Sequence, residues 1–345
     1  MKQKNYLWSV LTYWDETGGL LMNATFRKIS LLLIAMPLAC LAQVDYSVVS
    51  VNEESGIDFT PITSENDYVC MPMVKRMGGN VNWLSNKILD VSIDGTQLAY
   101  LSVRNKTTNI FIKDIGKQGS SVQRTNRQAV LDFNYSPDGK FICFSEGSGN
   151  LNQIYQTSAK AGYICRQITS NNKDYSPVYS ADMKNIFFAR QEANGTSIWS
   201  YNIANNFLTN YTKGMNPCPL AQSSMLCTRT NAQGKSEIWR INFETGTEEC
   251  VVSDPNRSFT TPSLSPDGRW ILMVGSNVLQ NGMRQYANTD IFVCRTDGTQ
   301  LTQLTYHAAD DVSPTWGRDG RYIYFISQRG SANGTANVWR MTFVY

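Results

Sequence analysis

The chain holds one histidine, His307, in 345 residues. A metal site built on several histidines is therefore excluded, as is any catalytic triad that needs a histidine elsewhere. No Gly-x-Ser-x-Gly elbow occurs. Gly234-Lys235-Ser236 resembles the end of a phosphate-cradling loop, but Arg229 stands where that loop needs its first glycine. Carboxylates remain. Asp174, Asp310 and Asp311 could do general acid–base work if they converged on one substrate. Tyr306, His307, Asp310 and Asp311 fall in one short run, a combination able to bind a small ligand or a cation. Asn216 is read as taking the place of Asp174 in the following segment. The plainer use of such aspartates is to hydrogen-bond the loop backbone, and that use is preferred. We therefore expect no catalytic residue, no metal and no cofactor. Asp174, Asn216, Tyr306, His307, Asp310 and Asp311 are kept as binding candidates.

The elements that position these residues are repeats. A small residue followed by Asp-Gly and an apolar run recurs as SIDGTQLAYLS (92–102), SPDGKFICFS (136–145), SPDGRWILMVG (265–275) and GRDGRYIYFIS (317–327), with SADMKNIFFAR (180–190) as a variant. A second phrase follows each: NIFI, QIYQ, SIWS, EIWR, DIFV and NVWR. Its central residues are Ile110, Ile154, Ile198, Ile238, Ile291 and Val338, spaced by 44, 44, 40, 53 and 47 residues. Proline and glycine in the first phrase signal a turn, and the flanking aromatic and β-branched residues have strand composition. Four short antiparallel strands repeated six times predict a six-bladed β-propeller.

Two blades depart from the pattern. The fourth has lost its Asp-Gly turn at Gln222-Ser223-Ser224, and an insertion around Asn277–Ala287 reads as a surface loop. The last repeat ends at Tyr345 without an outermost strand. Phe59-Thr60-Pro61-Ile62-Thr63 carries the aliphatic-Thr ending of such a strand, so it is predicted to complete blade six and close the ring. Asp67–Asn86 is extra sequence before the first full repeat, and its methionines suit an adaptable contact surface. The residues Phe111, Tyr155, Trp199, Trp239, Phe292 and Trp339 are read as blade packing.

The Ser-Pro-Asp-Gly turns, with Asp-x-x-Pro legible within 168–182 and 304–319, resemble the TolB-type, WD-repeat-like β-propeller repeats over roughly 58–345. TolB-type proteins carry a separate α/β domain before the propeller. Here 43–57 is a short segment, so the resemblance covers the propeller part alone. It implies a fold and, as an expectation, binding of other envelope proteins. Pectate-degrading lyases on similar propellers hold a metal with several histidines, which this sequence does not supply.

Composition agrees with a globular chain: 42% hydrophobic and 17% charged residues are enough apolar content to bury a core. A net charge of +3 without a basic run argues against a nucleic-acid partner. From Met22, MNATFRKISLLLIAMPLACLAQ has the layout of a secretory signal peptide, with cleavage expected after Ala42 and residues 1–21 read as an upstream extension. Its apolar run is too short to span a bilayer. Cys40 offers a second reading, as a lipidated cysteine that anchors the protein without a transmembrane span. The other cysteines read as small buried hydrophobes, with one disulfide left open. The expected function is a non-catalytic cell-envelope scaffold, monomeric, exported to the periplasm or the outer membrane, and binding envelope proteins. The alternatives are carbohydrate or small-ligand binding at the channel mouth, then a carboxylate-based enzyme.

Overall fold

The computed structural model describes residues 45–344, apart from short stretches at 73–74, 78–79, 83–86, 118, 149–150, 161–163, 171, 222 and 282–283. The leader at 1–42, Cys40 included, lies outside the described residues. Six four-stranded antiparallel sheets form among the described residues, one for each sequence repeat. Blade one comprises Leu89–Val91, Gln97–Arg104, Thr107–Asp114 and Val122–Gln123, from the inside outwards. Blade two comprises Val130–Tyr135, Phe141–Ser148, Leu151–Ser158 and Cys165–Gln167. Blade three comprises Asp174–Tyr179, Asn185–Glu192, Gly195–Asn202 and Leu208–Lys213. Blade four comprises Met215–Pro219, Ser224–Thr230, Ser236–Asn242 and Glu248–Val252. Blade five comprises Ser258–Leu264, Trp270–Asn281, Arg284–Arg295 and Thr302–Gln303. Blade six comprises Asp311–Trp316, Tyr322–Ser327 and Asn337–Thr342, and its outermost strand is Phe59–Pro61.

The repeated serine and aspartate build the turn between the first two strands. Ser92, Ser136, Ser180 and Ser265 each donate a hydroxyl bond of 2.6–2.7 Å to the aspartate two residues on. The same hydroxyls accept the backbone N–H that opens the next strand, from Gln97, Phe141, Asn185 and Trp270. The serine bond holds the carboxyls of Asp94 and Asp267 down at a pKa of about 2. Glycine follows the aspartate because the next residue is left-handed, with φ of 72° at Gly268. Blade three places Met183 in that conformation instead, at φ 59°.

The threonine of the aliphatic-Thr ending has an equally local cause. Its hydroxyl accepts the N–H of the central aliphatic residue of the third strand: Thr125 from Ile110, Thr169 from Ile154 and Thr305 from Ile291. Thr63 accepts the N–H of Val338 in the same way, at 2.8 Å across 275 residues of sequence. Phe59 pairs with Met341 and Pro61 with Trp339, so the N-terminal segment completes blade six as predicted. Burial completes the closure. Val312, Ile326 and Val338 of blade six share one buried cluster with Leu98, Leu101 and Ile110 of blade one and Phe133 of blade two. Each such side chain removed from water contributes roughly 1.5–3 kcal/mol.

Blade four contracts as expected, with Leu220 donating its N–H to the Ser224 carbonyl across the shortened turn. The insertion around Asn277–Ala287 is not a loop. It extends two strands of blade five into a twelve-residue ribbon in continuous register, from Trp270 opposite Arg295 to Asn281 opposite Arg284. Within the extra segment before blade one, Lys75–Met77 pairs with Asn80–Asn82 and Asp67 is buried, receiving Lys113 at 2.9 Å. Of the packing aromatics, Phe111, Phe292 and Trp339 are buried, whereas Tyr155, Trp199 and Trp239 are partly covered by an arginine each. The seven cysteines from Cys70 to Cys294 form no disulfide; Cys250 is exposed, unlike the buried hydrophobe expected of it.

Candidate functional site

The innermost strands meet around a central channel, and a repeated backbone feature shapes its wall. Ser176, Asn216, Thr261 and Ser313 are left-handed, with φ between 50° and 52°, and each precedes a proline. A residue before proline is kept out of the right-handed helical region. In blades three to six the strand pairing slips by one residue at this point, the signature of a β-bulge. The bulge turns Pro177, Pro217, Pro262 and Pro314 toward the channel, which they line. The water-accessible space left inside is about 70 Å³.

Chemistry in the wall is sparse. Asp132 of blade two is fully buried and accepts the Ser145 hydroxyl and, at 2.9 Å, the Ser176 N–H of blade three. Burial outweighs these bonds and pushes its carboxyl up to a pKa of about 6. Lys87 lines the same space and pairs with Asp90 at 3.2 Å. The Ser176 hydroxyl is buried without a hydrogen-bond partner.

The candidate residues from the sequence fall into three places. Asp174 opens the innermost strand of blade three, fully buried, and binds the Arg190 guanidinium at 2.7 and 3.0 Å. Asp311 occupies the equivalent place in blade six, opposite Ser327, and bonds Arg329 at 2.5 Å. Arg329 is also bonded to Glu54 of the N-terminal segment, and all three side chains are wholly buried. Burial raises Asp311 to a pKa of about 6 against the opposing pull of Arg329. Blades three and six lie opposite each other in a ring of six, so these carboxylates do not share a site.

Near Asp311, His307 is buried and its Nδ1 accepts the Ala309 N–H at 2.9 Å. Burial, reinforced by the Arg329 charge, lowers its pKa. Asp310 accepts the backbone N–H and hydroxyl of Thr289 in blade five. Tyr306 donates its N–H to Glu54 and is 40% exposed. Asn216 lines the channel, and its sequence alignment needs correction: pairing of Met215 with Thr228, and of Tyr175 with Ala189, makes Asn216 the counterpart of Ser176. Gly214 stands in the place of Asp174. The shared prolines, Pro177 and Pro217, were the signal that fixes this alignment.

Sequence reasoning missed Arg190, Arg329, Glu54 and Asp132. Two arginines follow their aspartates by 16 and 18 residues, one hairpin away, and only the strand register brings them together. Among the described residues, no group of three His, Cys, Asp or Glu side chains is placed to hold a metal, and no helix is long and apolar enough to cross a membrane.

A family model for the TolB beta propeller domain matches residues 221–344. A Tol-Pal system protein TolB of Francisella tularensis subsp. holarctica is 24% identical over 245 residues, covering 67% of this chain and 55% of that protein. Another, from the subspecies tularensis, is 27% identical over 193 residues, covering 52% and 44%. The matches thus span about half the length of these curated relatives. Among solved structures, a putative TolB from Agrobacterium tumefaciens superposes with a TM-score of 0.55 at 17% identity, covering 84% of this chain and 98% of that one. An oligogalacturonate lyase from Vibrio parahaemolyticus gives 0.56 at 12% identity, covering 85% and 95%. At these identities the structural likenesses show the fold alone. Residues 221–344 thus match the TolB beta propeller domain, and the six four-stranded blades with their Ser-x-Asp-Gly turns make the chain similar to TolB-type propellers.

Proposed function

We propose that the protein is a non-catalytic scaffold of the bacterial cell envelope that binds another protein through its propeller. The observation that carries this reading is the use already made of the chemistry. The carboxylates best placed for acid–base work are neutralised inside the fold by Arg190 and Arg329. The pocket among the channel prolines holds about 70 Å³ of water-accessible space, against the several hundred of an ordinary small-molecule pocket. The envelope part is supported by the leader read from Met22 and by relatives described as Tol-Pal system proteins. Export as a monomer fits that reading, and Cys40 is where a lipid anchor would sit.

Capture of the tagged protein from solubilised envelopes tests the scaffold directly. Reproducible recovery of one partner is expected, and repeated recovery of the protein alone overturns the reading. Carbohydrate or small-ligand binding has one observation in its favour, the exposure of Tyr306 next in sequence to the buried His307. A glycan array with hits that vanish in Tyr306→Ala supports it; an empty array removes it.

A further inference from the structure

Blades three and four can be compared residue by residue, and they differ in how one shared arginine is neutralised. In blade three, Arg190 lies over the Trp199 ring at 4.5 Å and closes on Asp174. In blade four, Arg229 occupies the same register position and lies over the equivalent Trp239 ring at 5.0 Å. The aspartate it should meet is absent, because Gly214 fills that place. A side chain there is disfavoured twice: φ is 143°, and a Cβ would sit 3.1 Å from the Cys227 sulfur. Beside Gly214 and Arg229 lies an open cleft of about 570 Å³ between blades three and four.

Thr228 lines that cleft where blade three has Ala189. Its residue is fully buried and its hydroxyl has no hydrogen-bond partner, an arrangement that costs about 1–3 kcal/mol if it persists. Arg229 turns outward to Glu248, bonding both its oxygens at 2.8 Å, and Thr212 joins the pair. Glu248 is 41% exposed, so this substitute for Asp174 is screened by water and can be exchanged. Lys213 adds a second positive charge to the lining.

From this we infer that the cleft between blades three and four binds a side-chain carboxylate of a partner protein, held by Arg229 with Glu248 displaced. The inference rests on the scaffold reading for its choice of a protein partner. A side chain on a protruding loop suits the cleft, since in blade four the carboxylate on the arginine comes from the half-exposed Glu248 and not from a buried aspartate of the innermost strand. The Arg–carboxylate pair supplies two parallel bonds, which fixes orientation as well as strength.

The test is calorimetric titration of the full chain with a short capped peptide carrying one central aspartate, and with the same peptide carrying asparagine. The aspartate peptide is expected to bind at least ten-fold more tightly. Arg229→Gln should abolish the difference, while Glu248→Gln should tighten aspartate binding several-fold by removing the internal competitor. Thermal melting of each variant verifies that it is folded. Equal binding of the two peptides, undiminished binding by Arg229→Gln, or no tightening in Glu248→Gln overturns the inference. Envelope capture separates the two proposals. A partner retained equally by Arg229→Gln refutes the cleft and leaves the scaffold. Peptide binding without any captured partner supports the cleft and refutes the scaffold.

Discussion

Replacing Asp132 by asparagine should make the protein more stable at neutral pH. Asp132 is fully buried in the channel wall, where it accepts the Ser145 hydroxyl and the Ser176 N–H. An asparagine can keep both, its oxygen accepting the N–H and its nitrogen donating to the serine oxygen. What changes is the charge. The carboxyl has a pKa of about 6 in the fold against an ordinary 3.8, with burial as the leading cause. Because the folded state holds its proton more tightly, native Asp132 costs nothing below pH 4. Its cost grows as pH rises through about 6, then levels off. Two units at about 1.4 kcal/mol each give a plateau of about 3 kcal/mol. Urea unfolding of wild type and Asp132→Asn at pH 4, 6 and 7.5 isolates this contribution, since other titrating groups cancel in the difference. The variant should match wild type at pH 4 and exceed it by about 2–3 kcal/mol at pH 7.5. A difference that does not vary with pH, or a less stable variant at pH 7.5, would refute the reasoning.

Three further substitutions probe the architecture. Arg329→Met strands Glu54 and Asp311 without a counter-ion in a wholly buried place, which should cost about 3–5 kcal/mol; a melting temperature within 2 °C of wild type contradicts that. Thr63→Val removes the acceptor of the Val338 N–H and should lower stability by about 1–3 kcal/mol, measured by the same urea titration, whereas no loss would argue against the closing strand. Deletion of 56–64 should be more damaging still. Met183→Gly relieves a left-handed methionine and should stabilise by about 0.5–1 kcal/mol in thermal melts, with a lower melting temperature as the contrary result.

Much of the fold was legible because the repeat is written in local bonds. A serine, an aspartate two residues later and a glycine make their own turn, so their spacing survives in sequence. The closing strand was legible for the same reason, since Thr63 does for Val338 what Thr305 does for Ile291. Register was harder. Blade four offers two prolines, and matching Pro219 rather than Pro217 to Pro177 sets Asn216 against Asp174, where the strand pairing places Gly214. The ribbon of blade five was read as a loop although the inserted sequence contains Asn281-Gly282, a hairpin turn signal. The partners of Asp174 and Asp311 were illegible because ion pairs across a hairpin leave no fixed spacing.

The central claim, that the propeller binds a protein partner, is tested most directly by site-specific photo-crosslinking in intact cells. A crosslinker at Asn194, beside the cleft, is compared with one at Asp182, in a turn between the first two strands of the same blade. The cleft end is predicted to yield one discrete adduct to a single protein, with little from the turn end. Absence of any adduct from either position would contradict the account.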